Sequence, residues 1–301
     1  MEPPKLSVIA VGEVLWDVYP DRRLLGGAPF NVACHLHNLR VSSCIVSRVG
    51  HDPLGLEILA EIGSRGMPVH TVQVDPHLPT GTVRVSLDAL GRPTFRIEAP
   101  AAWDALTPDP AALDAAARAH AVVFGSLAQR REPARTTIRS LLKTPALKVF
   151  DVNLRPPHDH RAFVEHLLQR SDVAKLNDTE LRRLSEWFEL HGELPDRCRQ
   201  VSARFGLQTV CVTRGENGAA LYHQGSWFEH PGYRVAVVDT VGSGDAFLAA
   251  LLWAFLQDIH PAEALAYANA AGAFVATQSG ATPPLDRAAI AAIMEGAGGQ
   301  A

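Results

Sequence analysis

Apolar segments of strand length alternate along the chain with segments of helical periodicity. Predominantly apolar runs occur at residues 6–12, 44–49, 121–124 and 147–152, with shorter ones at 172–174 and 210–213. The first run has no polar face, which is typical of a central parallel strand. Helical segments lie between or after them. One begins within 26–33 and runs to about residue 40, two cover 52–66 and 161–170, and two more begin at about residue 133 and after residue 261. The pattern predicts an α/β protein with a mostly parallel central sheet and helices on both faces.

Residues 80–98 have a different pattern, in which apolar and polar positions alternate. The alternation runs through residues 80–88, stops at a turn-like stretch at 89–93 and resumes at 94–98. It predicts a β-hairpin with one partly solvated face. A hairpin of this kind inside an α/β chain indicates a small sheet that stands apart from the main one.

The stretch 233–259 combines three patterns that suggest an anion site. Residues 233–238 are apolar and β-branched and predict a strand, and residues 246–259 predict a buried helix that begins near Gly244. Gly242 and Gly244 lie between them, where the lack of a side chain lets the backbone come close to a ligand. The free N–H groups and the dipole of a helix N-terminus then favour binding of an anion.

Asp245 lies in the first turn of this predicted helix and has two interpretations. Its carboxylate could cap N–H groups or complement the helix dipole, as acids in first turns commonly do. Alternatively, it could take a proton from a hydroxyl group that attacks phosphorus at the adjacent anion site. Position alone favours capping, whereas the surrounding residues favour the catalytic role.

Polar residues near the N-terminus form a second group of candidate site residues. Asp17 follows the first predicted strand, at the edge where open α/β sheets bind ligands, although it could equally cap a turn. Gly26 and Gly27 precede a predicted helix and would let its backbone approach a ligand. Asn31 lies in the first turns of that helix, where its amide could donate to and accept from hydroxyl groups.

Two of these stretches resemble signatures of one enzyme family. The sequence DTVGSGDAF at 239–247 satisfies every fixed position of D-T-x-G-[AS]-G-D-x-F, the C-terminal signature of the PfkB, or ribokinase-like, sugar kinases. GGAPFNVA at 26–33 is similar to the N-terminal signature in the form found in fructokinases. The resemblance implies a ribokinase-like three-layer sandwich with a small β-sheet lid. It also implies an ATP-dependent kinase for the primary hydroxyl of a small sugar, with fructokinase as the nearest type.

The resemblance further assigns roles at the reacting end of the site. Asp245 would be the base, and the anion hole would be formed by the backbone of Gly242, Ser243, Gly244 and Asp245. The sugar would be held by Asp17, Gly26, Gly27, Asn31, Arg155 and Asp245, with Arg155 taken from the D-x-N-x-R motif at 151–155. As an alternative, Arg155 could cap carbonyl groups or pair with Asp151.

Weaker matches concern the nucleotide and metal ions. KLNDTE at 175–180 and TRGENGA at 213–219 resemble nucleotide-binding motifs of the family, although the first could simply start a helix and the second could simply form a turn. The implied ATP ligands are Lys175, Asn177, Thr213, Gly215, Gly218, Gly242, Gly244 and Asn269. Glu180 would organise water around Mg²⁺, and a K⁺ site would be formed by Asp239, Val241, Val275, Gln278 and Gly280.

Composition narrows the classes of partner. The 301 residues are 47% hydrophobic and carry 28 basic against 32 acidic side chains, so the net charge of −4 does not suggest binding to nucleic acid or membrane. Four widely spaced cysteines predict reduced thiols in a cytoplasmic protein, and the N-terminus has no signal-peptide pattern. A G-x-x-x-x-G-K-[ST] motif is absent from the sequence, which excludes a P-loop.

We therefore expect one kinase domain over residues 1–301, with a lid built from segments near 13–25 and 80–100. The apolar face of the lid needs cover, which predicts a homodimer formed through it. The alternatives within the family are a kinase for 2-keto-3-deoxygluconate, ribose or a nucleoside. The alternative of another class is a sugar- or nucleotide-binding protein without catalytic activity.

Overall fold

The computed structural model describes residues 6–87 and 93–298, which contain two sheets and ten α-helices. The strands in these ranges are β1 (Ser7–Val11), β2 (Leu15–Val18), β3 (Arg23–Gly26), β4 (Ser42–Gly50), β5 (Val72–Asp75), β6 (Gly81–Leu87), β7 (Pro93–Ile97), β8 (Ala121–Gly125), β9 (Leu147–Asp151), β10 (Val173–Asn177), β11 (Thr209–Thr213), β12 (Ala219–His223) and β13 (Ser226–His230). The helices are α1 (Ala28–Asn38), α2 (Pro53–Ser64), α3 (Pro110–Arg118), α4 (Ala134–Leu141), α5 (Arg161–Leu168), α6 (Asp178–Phe188), α7 (Leu194–Phe205), α8 (Ser243–Phe255), α9 (Pro261–Ala276) and α10 (Arg287–Gly298).

Nine strands form the central sheet, in the order β13-β12-β11-β10-β9-β8-β1-β4-β5. The strands from β11 to β5 are parallel to their neighbours, and β12 and β13 are added antiparallel at one edge. Residues Val8 to Val11 of β1 are at most 3% exposed, because the strand lies between β8 and β4 and is covered on both faces. The predicted mostly parallel sheet is therefore confirmed.

Helices cover both faces of this sheet, since successive side chains of a strand point to opposite sides. Ile9 and Val11 belong to an apolar cluster that includes residues of α3, α4, α5, α6 and α7. Val8 and Ala10 belong to a second cluster, with residues of α1, α2 and α8. A third cluster joins α8 to α9 and α10. The expected three-layer arrangement is present.

Four strands form a separate small sheet in the order β3-β2-β6-β7. β6 and β7 pair antiparallel, which confirms the predicted hairpin. Residues 88–92, which include all of the predicted turn at 89–93 except Pro93, lie outside the described ranges. The alternation in β6 corresponds to its two faces: Val83 and Val85 are buried, and Arg84 and Ser86 are exposed. β2 joins β6 in parallel, so the segment after β1 and the hairpin belong to one sheet.

The predicted strand at 233–238 is wrong. This segment has no regular secondary structure, and Val237 and Val238 are 62% and 66% exposed. A β-branched run needs a neighbouring strand to become part of a sheet, but the backbone N–H groups of Val238 and Asp239 donate to the carbonyl of Ala276 at the end of α9, at 2.8 and 3.2 Å. Two other boundaries also differ: β10 extends to residue 177, and α8 ends at residue 255.

No helix in residues 6–87 and 93–298 is long and apolar enough to cross a membrane. The four cysteines are free and buried, each in the apolar interior.

Candidate active site

Polar side chains from distant parts of the chain meet where the parallel strands of the central sheet end. Asp151 is the last residue of β9, Lys175 is paired with it from the middle of β10, and Glu13 lies two residues after β1. The N-termini of α1 and α8 bring Asn31 and Asp245 to the same place. In open α/β sheets this edge is where ligands bind.

Asp245 lies in the first turn of α8 and is hydrogen-bonded to Asn31, a residue near the N-terminal end of the chain. Nδ2 of Asn31 donates to its Oδ2 at 2.7 Å, so the two predicted signatures are in contact. Burial raises the pKa of Asp245 to about 6, with a further contribution from the charge of Asp151, while Lys175 and the Asn31 bond oppose the shift. The carboxylate is therefore a better proton acceptor than an ordinary aspartate and is still largely ionised at neutral pH.

The turn before α8 has a shape that requires glycine. Gly242 has φ +81°, and a Cβ added there would lie 2.3 Å from the carbonyl oxygen of Ala281. The N–H of Ser243 donates to the carbonyl of Thr240 at 3.2 Å, and that of Asp245 donates to Gly242 at 3.1 Å. Within the described residues, the N–H groups of Gly242 and Gly244 have no acceptor, so these two, rather than all four predicted amides, are free to bind an anion.

Lys175 places a positive charge beside this turn. Its Nζ lies 3.1 Å from Oδ1 of Asp151, and a methyl group added at Gly244 would lie 3.1 Å from Nζ. Burial lowers the pKa of Lys175, but the charges of Asp151, Glu180 and Asp245 outweigh it and raise the pKa above its ordinary value. The ammonium therefore remains charged, and Gly244 is small enough to let it approach the backbone.

Asp17 and the glycine pair of the N-terminal signature are packed together. A Cβ at Gly26 would lie 2.9 Å from Oδ2 of Asp17, and Gly27, at φ +110°, approaches the carbonyl of Glu13 so closely that a Cβ would lie 2.5 Å from its oxygen. Burial raises the pKa of Asp17 to about 6, against the opposing charge of Arg155. The glycines thus leave space for the carboxylate on which the predicted sugar site depends.

Arg155 is exposed, and in the described part of the chain it forms no ion pair within 4 Å of a carboxylate. The alternative that it pairs with Asp151 is wrong, because Asp151 pairs with Lys175. The alternative that it caps a carbonyl is supported, since its Nη1 donates to the carbonyl of Leu154 at 3.0 Å. Its charge still acts on the site, because it lowers the pKa values of Glu13, Asp17 and Asp245 against the effect of burial.

Two acids that the sequence analysis did not select also belong to the site. Glu13 is 4% exposed, and its Oε2 has no hydrogen-bond partner in the described chain. Burial raises the pKa of Glu13 to about 7, and the charges of Asp245 and Asp151 add to the shift. Asp151 is 3% exposed and likewise has one oxygen, Oδ2, without a described partner. Glu13 lies two residues after the end of a parallel strand and Asp151 is the last residue of another, and these positions were the signal that could have identified them.

Asn177 and Glu180 form a reciprocal cap at the start of α6, which confirms the helix-start alternative. Oδ1 of Asn177 accepts from the N–H of Glu180, and Oε2 of Glu180 accepts from the N–H of Asn177, both at 2.8 Å. Oε1 of Glu180 also accepts from the N–H of Leu154 at 2.8 Å. Glu180 therefore holds the loop after β9 against β10, and each oxygen retains capacity to accept one more bond, for example from water.

The remaining predicted nucleotide ligands have different surroundings. Gly215 is exposed and open, with φ +57° and nothing within 4 Å of an added Cβ. Gly218 is buried against the backbone of His230, where a Cβ would lie 2.0 Å from the carbonyl oxygen, so its role is to allow this packing. Thr213 donates from Oγ1 to the carbonyl of Leu176 at 3.3 Å, and Asn269 donates from Nδ2 to Leu265 at 2.7 Å.

Asp239 connects the two loops that carry the predicted cation ligands. Its Oδ1 accepts from the N–H of Val241 at 3.0 Å, and its Oδ2 accepts from the N–H of Gly280 at 3.3 Å. Val275 and Gln278 lie at the C-terminal end of α9, where the carbonyl of Val275 accepts from the N–H of Gln278 at 2.9 Å. A carboxylate beside a helix C-terminus favours a cation, so the residues present fit the predicted K⁺ site.

A buried carboxylate, a helix N-terminus with free amides and a charged lysine together define a site suited to phosphoryl transfer. Residues 20–288 match the description "pfkB family carbohydrate kinase". The chain therefore belongs to this family and is a carbohydrate kinase.

The relatives and solved structures agree with this assignment. Fructokinase-2 of Oryza sativa subsp. japonica is 31% identical, over 94% of this chain and 92% of the relative, and the fructokinase of Klebsiella pneumoniae is 30% identical, over 93% and 96%. A fructokinase double mutant from Vibrio cholerae O395, solved with fructose, ADP and potassium ion, has a TM-score of 0.82 at 27% identity and covers 96% of this chain and 98% of its own.

Proposed function

We propose that this carbohydrate kinase uses ATP to phosphorylate the primary hydroxyl of fructose, giving fructose 6-phosphate. The observation that carries the proposal is the Asn31–Asp245 contact, which brings the residues matched to sugar binding to the carboxylate beside the free amides of α8. The K. pneumoniae and V. cholerae fructokinases, similar over most of their length, support fructose as the sugar.

In the proposed reaction, Asp245 accepts the proton of the primary hydroxyl while that oxygen attacks the γ-phosphorus of ATP. The new O–P bond forms as the bond to the β-phosphate oxygen breaks, and ADP leaves with that electron pair. The N–H groups of Gly242 and Gly244 and the ammonium of Lys175 stabilise charge on the transferring group. Asn31 orients the carboxylate of Asp245. This helps catalysis because a base speeds the reaction only when it is correctly placed relative to the hydroxyl group.

The sugar would be held by Asp17, Gly26, Gly27, Asn31 and Arg155. Asp17 accepts hydroxyl groups, while Gly26 and Gly27 leave room for it and for close approach of the backbone. Asn31 can offer its Oδ1 to a hydroxyl donor, because that buried atom has no partner in the described chain. Arg155 is free to swing from Leu154 toward the substrate, since it is exposed and bound there by a single hydrogen bond.

ATP would lie across the ends of β10, β11 and α8, near Lys175, Asn177, Thr213, Gly215 and Asn269. Gly218 supports this surface from below rather than contacting the nucleotide, because its space is filled by the chain. Mg²⁺ would neutralise charge on the phosphates. Glu180 would contribute through water, which suits the reluctance of Mg²⁺ to lose its hydration shell.

We expect K⁺ to raise activity. A cation held between Asp239 and the end of α9 would fix the loop that carries Gly242, since Asp239 already bonds to both loops. Initial rates measured with KCl and with NaCl at the same ionic strength check this, and an Asp239→Asn variant should respond less to the exchange. Equal rates in both salts would contradict the cation site.

We also propose that residues 1–301 form one kinase domain in which the small sheet is a lid over the sugar. Exposed Phe95, at 50%, lies on this sheet, and a second copy of the chain would cover it, which gives a homodimer. Light scattering at micromolar concentration should show twice the chain mass, and a fully active monomer would contradict this arrangement. Because the reaction consumes ATP, we expect the protein to act in the cytoplasm.

Glu13 should influence the pH dependence of the reaction. The charge of Asp245 helps to raise the pKa of Glu13 to about 7, so Glu13 ionises only after Asp245 and is mostly protonated near pH 6. Glu13→Gln should therefore remove a change in kcat/KM near pH 7 and keep the limb near pH 6, whereas the exposed Glu186→Gln should leave the whole profile in place. An unchanged profile in Glu13→Gln would mean that this carboxylate is only a packing residue.

One observation favours a second substrate. A 2-dehydro-3-deoxygalactonokinase from Haloferax volcanii is 31% identical, over 84% of this chain and 82% of the relative. A sugar acid carries a carboxylate that the exposed guanidinium of Arg155 could bind through two parallel hydrogen bonds. If this chain acts on such an acid, Arg155→Gln should raise its KM far more than the KM for any neutral sugar.

Release of ADP, coupled to a spectroscopic assay, tests the proposed function over fructose, ribose, 2-keto-3-deoxygluconate, 2-keto-3-deoxygalactonate and nucleosides. We expect the highest kcat/KM with fructose. A higher value with a sugar acid, together with the Arg155 effect, would replace fructose by the second candidate. No ADP release with any of them, while sugar or ATP still binds, would instead favour a binding protein.

A further inference from the structure

A cavity of about 470 Å³ lies away from the site described above. Its lining includes Arg139, Lys143, His166 and Arg170, from α4, α5 and the segments that follow them. These segments lead into the amino ends of β9 and β10, whereas the candidate active site is at their carboxyl ends. A five-residue strand spans roughly 16 Å, so the cavity is at the opposite edge of the sheet.

The cavity carries uncompensated positive charge. Within the described residues, Arg139, Lys143 and Arg170 have no carboxylate partner within 4 Å. The nearby acids are engaged elsewhere: Glu132 bonds to Thr136 and lies 3.7 Å from Arg135, and Glu165 lies 3.5 Å from Arg204. Three cations therefore face one cavity in a chain whose net charge is −4.

Two buried N–H donors in the same place lack partners. Arg170 donates from Nη1 to Nδ1 of His166 at 3.0 Å, and a guanidinium can only donate. Nδ1 is therefore the acceptor nitrogen, and the proton of the neutral ring is on Nε2, which is buried without a partner in the described chain. Nε of Arg139 is also buried without a hydrogen-bond partner in the described chain. A buried donor is normally paired, so both nitrogens are unsatisfied donors in side chains that line the cavity.

Stabilisation of helix C-termini accounts for only part of this cluster. Cations near the last turn complement the helix dipole, and Arg170 does donate to the carbonyl of His166 at 3.0 Å. However, carbonyl groups at both helix ends already accept hydrogen bonds from backbone N–H groups. In α4, the carbonyls of Ile138 and Ser140 accept from the N–H of Leu142. Arg139 and Lys143 make no such bond in the described chain, and their convergence on the cavity is left to be explained.

We propose that this cavity is a second binding site, for a compact anion of the phosphate-ester class that carries two or more negative charges. The volume suits a small metabolite. Arginine side chains bind phosphate oxygens through paired N–H groups, and the exposed ammonium of Lys143 adds a further charge and further donors. The site lies apart from the nucleotide position and is independent of which sugar the kinase phosphorylates.

Calorimetric titration with inorganic pyrophosphate at physiological ionic strength tests this site. Three proteins are compared: wild type, the double variant Arg139→Gln/Arg170→Gln, and Arg182→Gln, in which an exposed arginine of α6 is changed instead. The double variant should bind pyrophosphate at least about tenfold more weakly, because it loses several charge-assisted hydrogen bonds. Any binding near α8 is common to all three proteins and does not contribute to the difference.

Kinase activity of the double variant, expected to be close to wild type, serves as the check on folding. If it does not fold, Lys143→Gln, which changes one exposed side chain, replaces it and should weaken binding in the same direction. Equal affinity in wild type and the cavity variants would overturn the proposal. An equal loss in Arg182→Gln would also overturn it, because the attraction would then be a general effect of surface charge.

Discussion

Asp245→Asn should lower kcat by at least about 10²–10⁴-fold, the range typical of losing a general base, while the KM values for sugar and ATP change little. Asparagine keeps the size of the side chain and can still accept the hydrogen bond from Asn31, but it cannot accept a proton. The acidic limb near pH 6 that wild-type kcat/KM should show, from the raised pKa of Asp245, should be missing in the residual activity of the variant.

The effect on stability separates this role from simple capping. Burial raises the pKa of Asp245 from 3.8 to about 6, so the stability that the protonated group contributes is fully present below pH 3.8 and is lost as the pH rises through about 6. At pH 7 the ionised side chain opposes folding, and the Asn variant should melt at or above the wild-type temperature. A capping role predicts the reverse, a loss of about 1 kcal/mol with normal turnover. A stable variant that keeps more than about a tenth of kcat would rule out the base.

Gly242→Ala should have the second largest effect, and Gly225→Ala, in the turn between β12 and β13, is its matched control. The two glycines have similar backbone angles, φ +81° and +87°, but a Cβ at Gly242 would lie 2.3 Å from the oxygen of Ala281, whereas nothing lies within 4 Å of one at Gly225. Both variants should lose about 1–2 kcal/mol of stability from the left-handed conformation. Only Gly242→Ala must also move the turn that carries the free amides.

We expect that movement to lower kcat by about 10²–10³-fold, the cost of losing one donor to a developing charge. The measurement is kcat and melting temperature for both variants under saturating substrate and K⁺. If the two variants have similar turnover, the turn before α8 does not bind the transferring phosphoryl group. In that case the difference between them would be limited to stability.

Local pattern was sufficient for the central sheet but not for every apolar run. The stretch 6–12 lacks a polar face, and only a strand covered on both sides can bury such a sequence, so the position of β1 followed from its composition. The stretch 233–238 has an equally strong β-branched character, yet it lies outside the sheet with Val237 and Val238 exposed. Whether such a run becomes a strand depends on a partner supplied by the rest of the fold, which a local pattern does not contain.

In the candidate site, too, the sequence identified individual residues, but the contacts between them depend on the fold. Motifs identified Asn31 and Asp245 separately, but their contact joins residues 214 positions apart and depends on how α1 and α8 pack. The sequence also did not distinguish Gly215 from Gly218, which belong to one motif. The space beside Gly215 is open, whereas the space beside Gly218 is filled by backbone atoms. Glu13 was passed over because residue order alone does not reveal which side chains after a strand turn inward.

The bond between Asn31 and Asp245 also has a consequence for how the protein is made. During synthesis, the first third of the chain leaves the ribosome long before Asp245 exists, so the proposed sugar-binding residues near the N-terminus stay without their partner until most of the protein has been translated. The segment from α8 to α10 then supplies the proposed base, the turn with the free amides and the loop bonded to Asp239 in one late block. A prematurely terminated product would therefore lack both the proposed base and the side chains of α8 that pack against α1 in the second apolar cluster, so it would have no means of transferring a phosphoryl group.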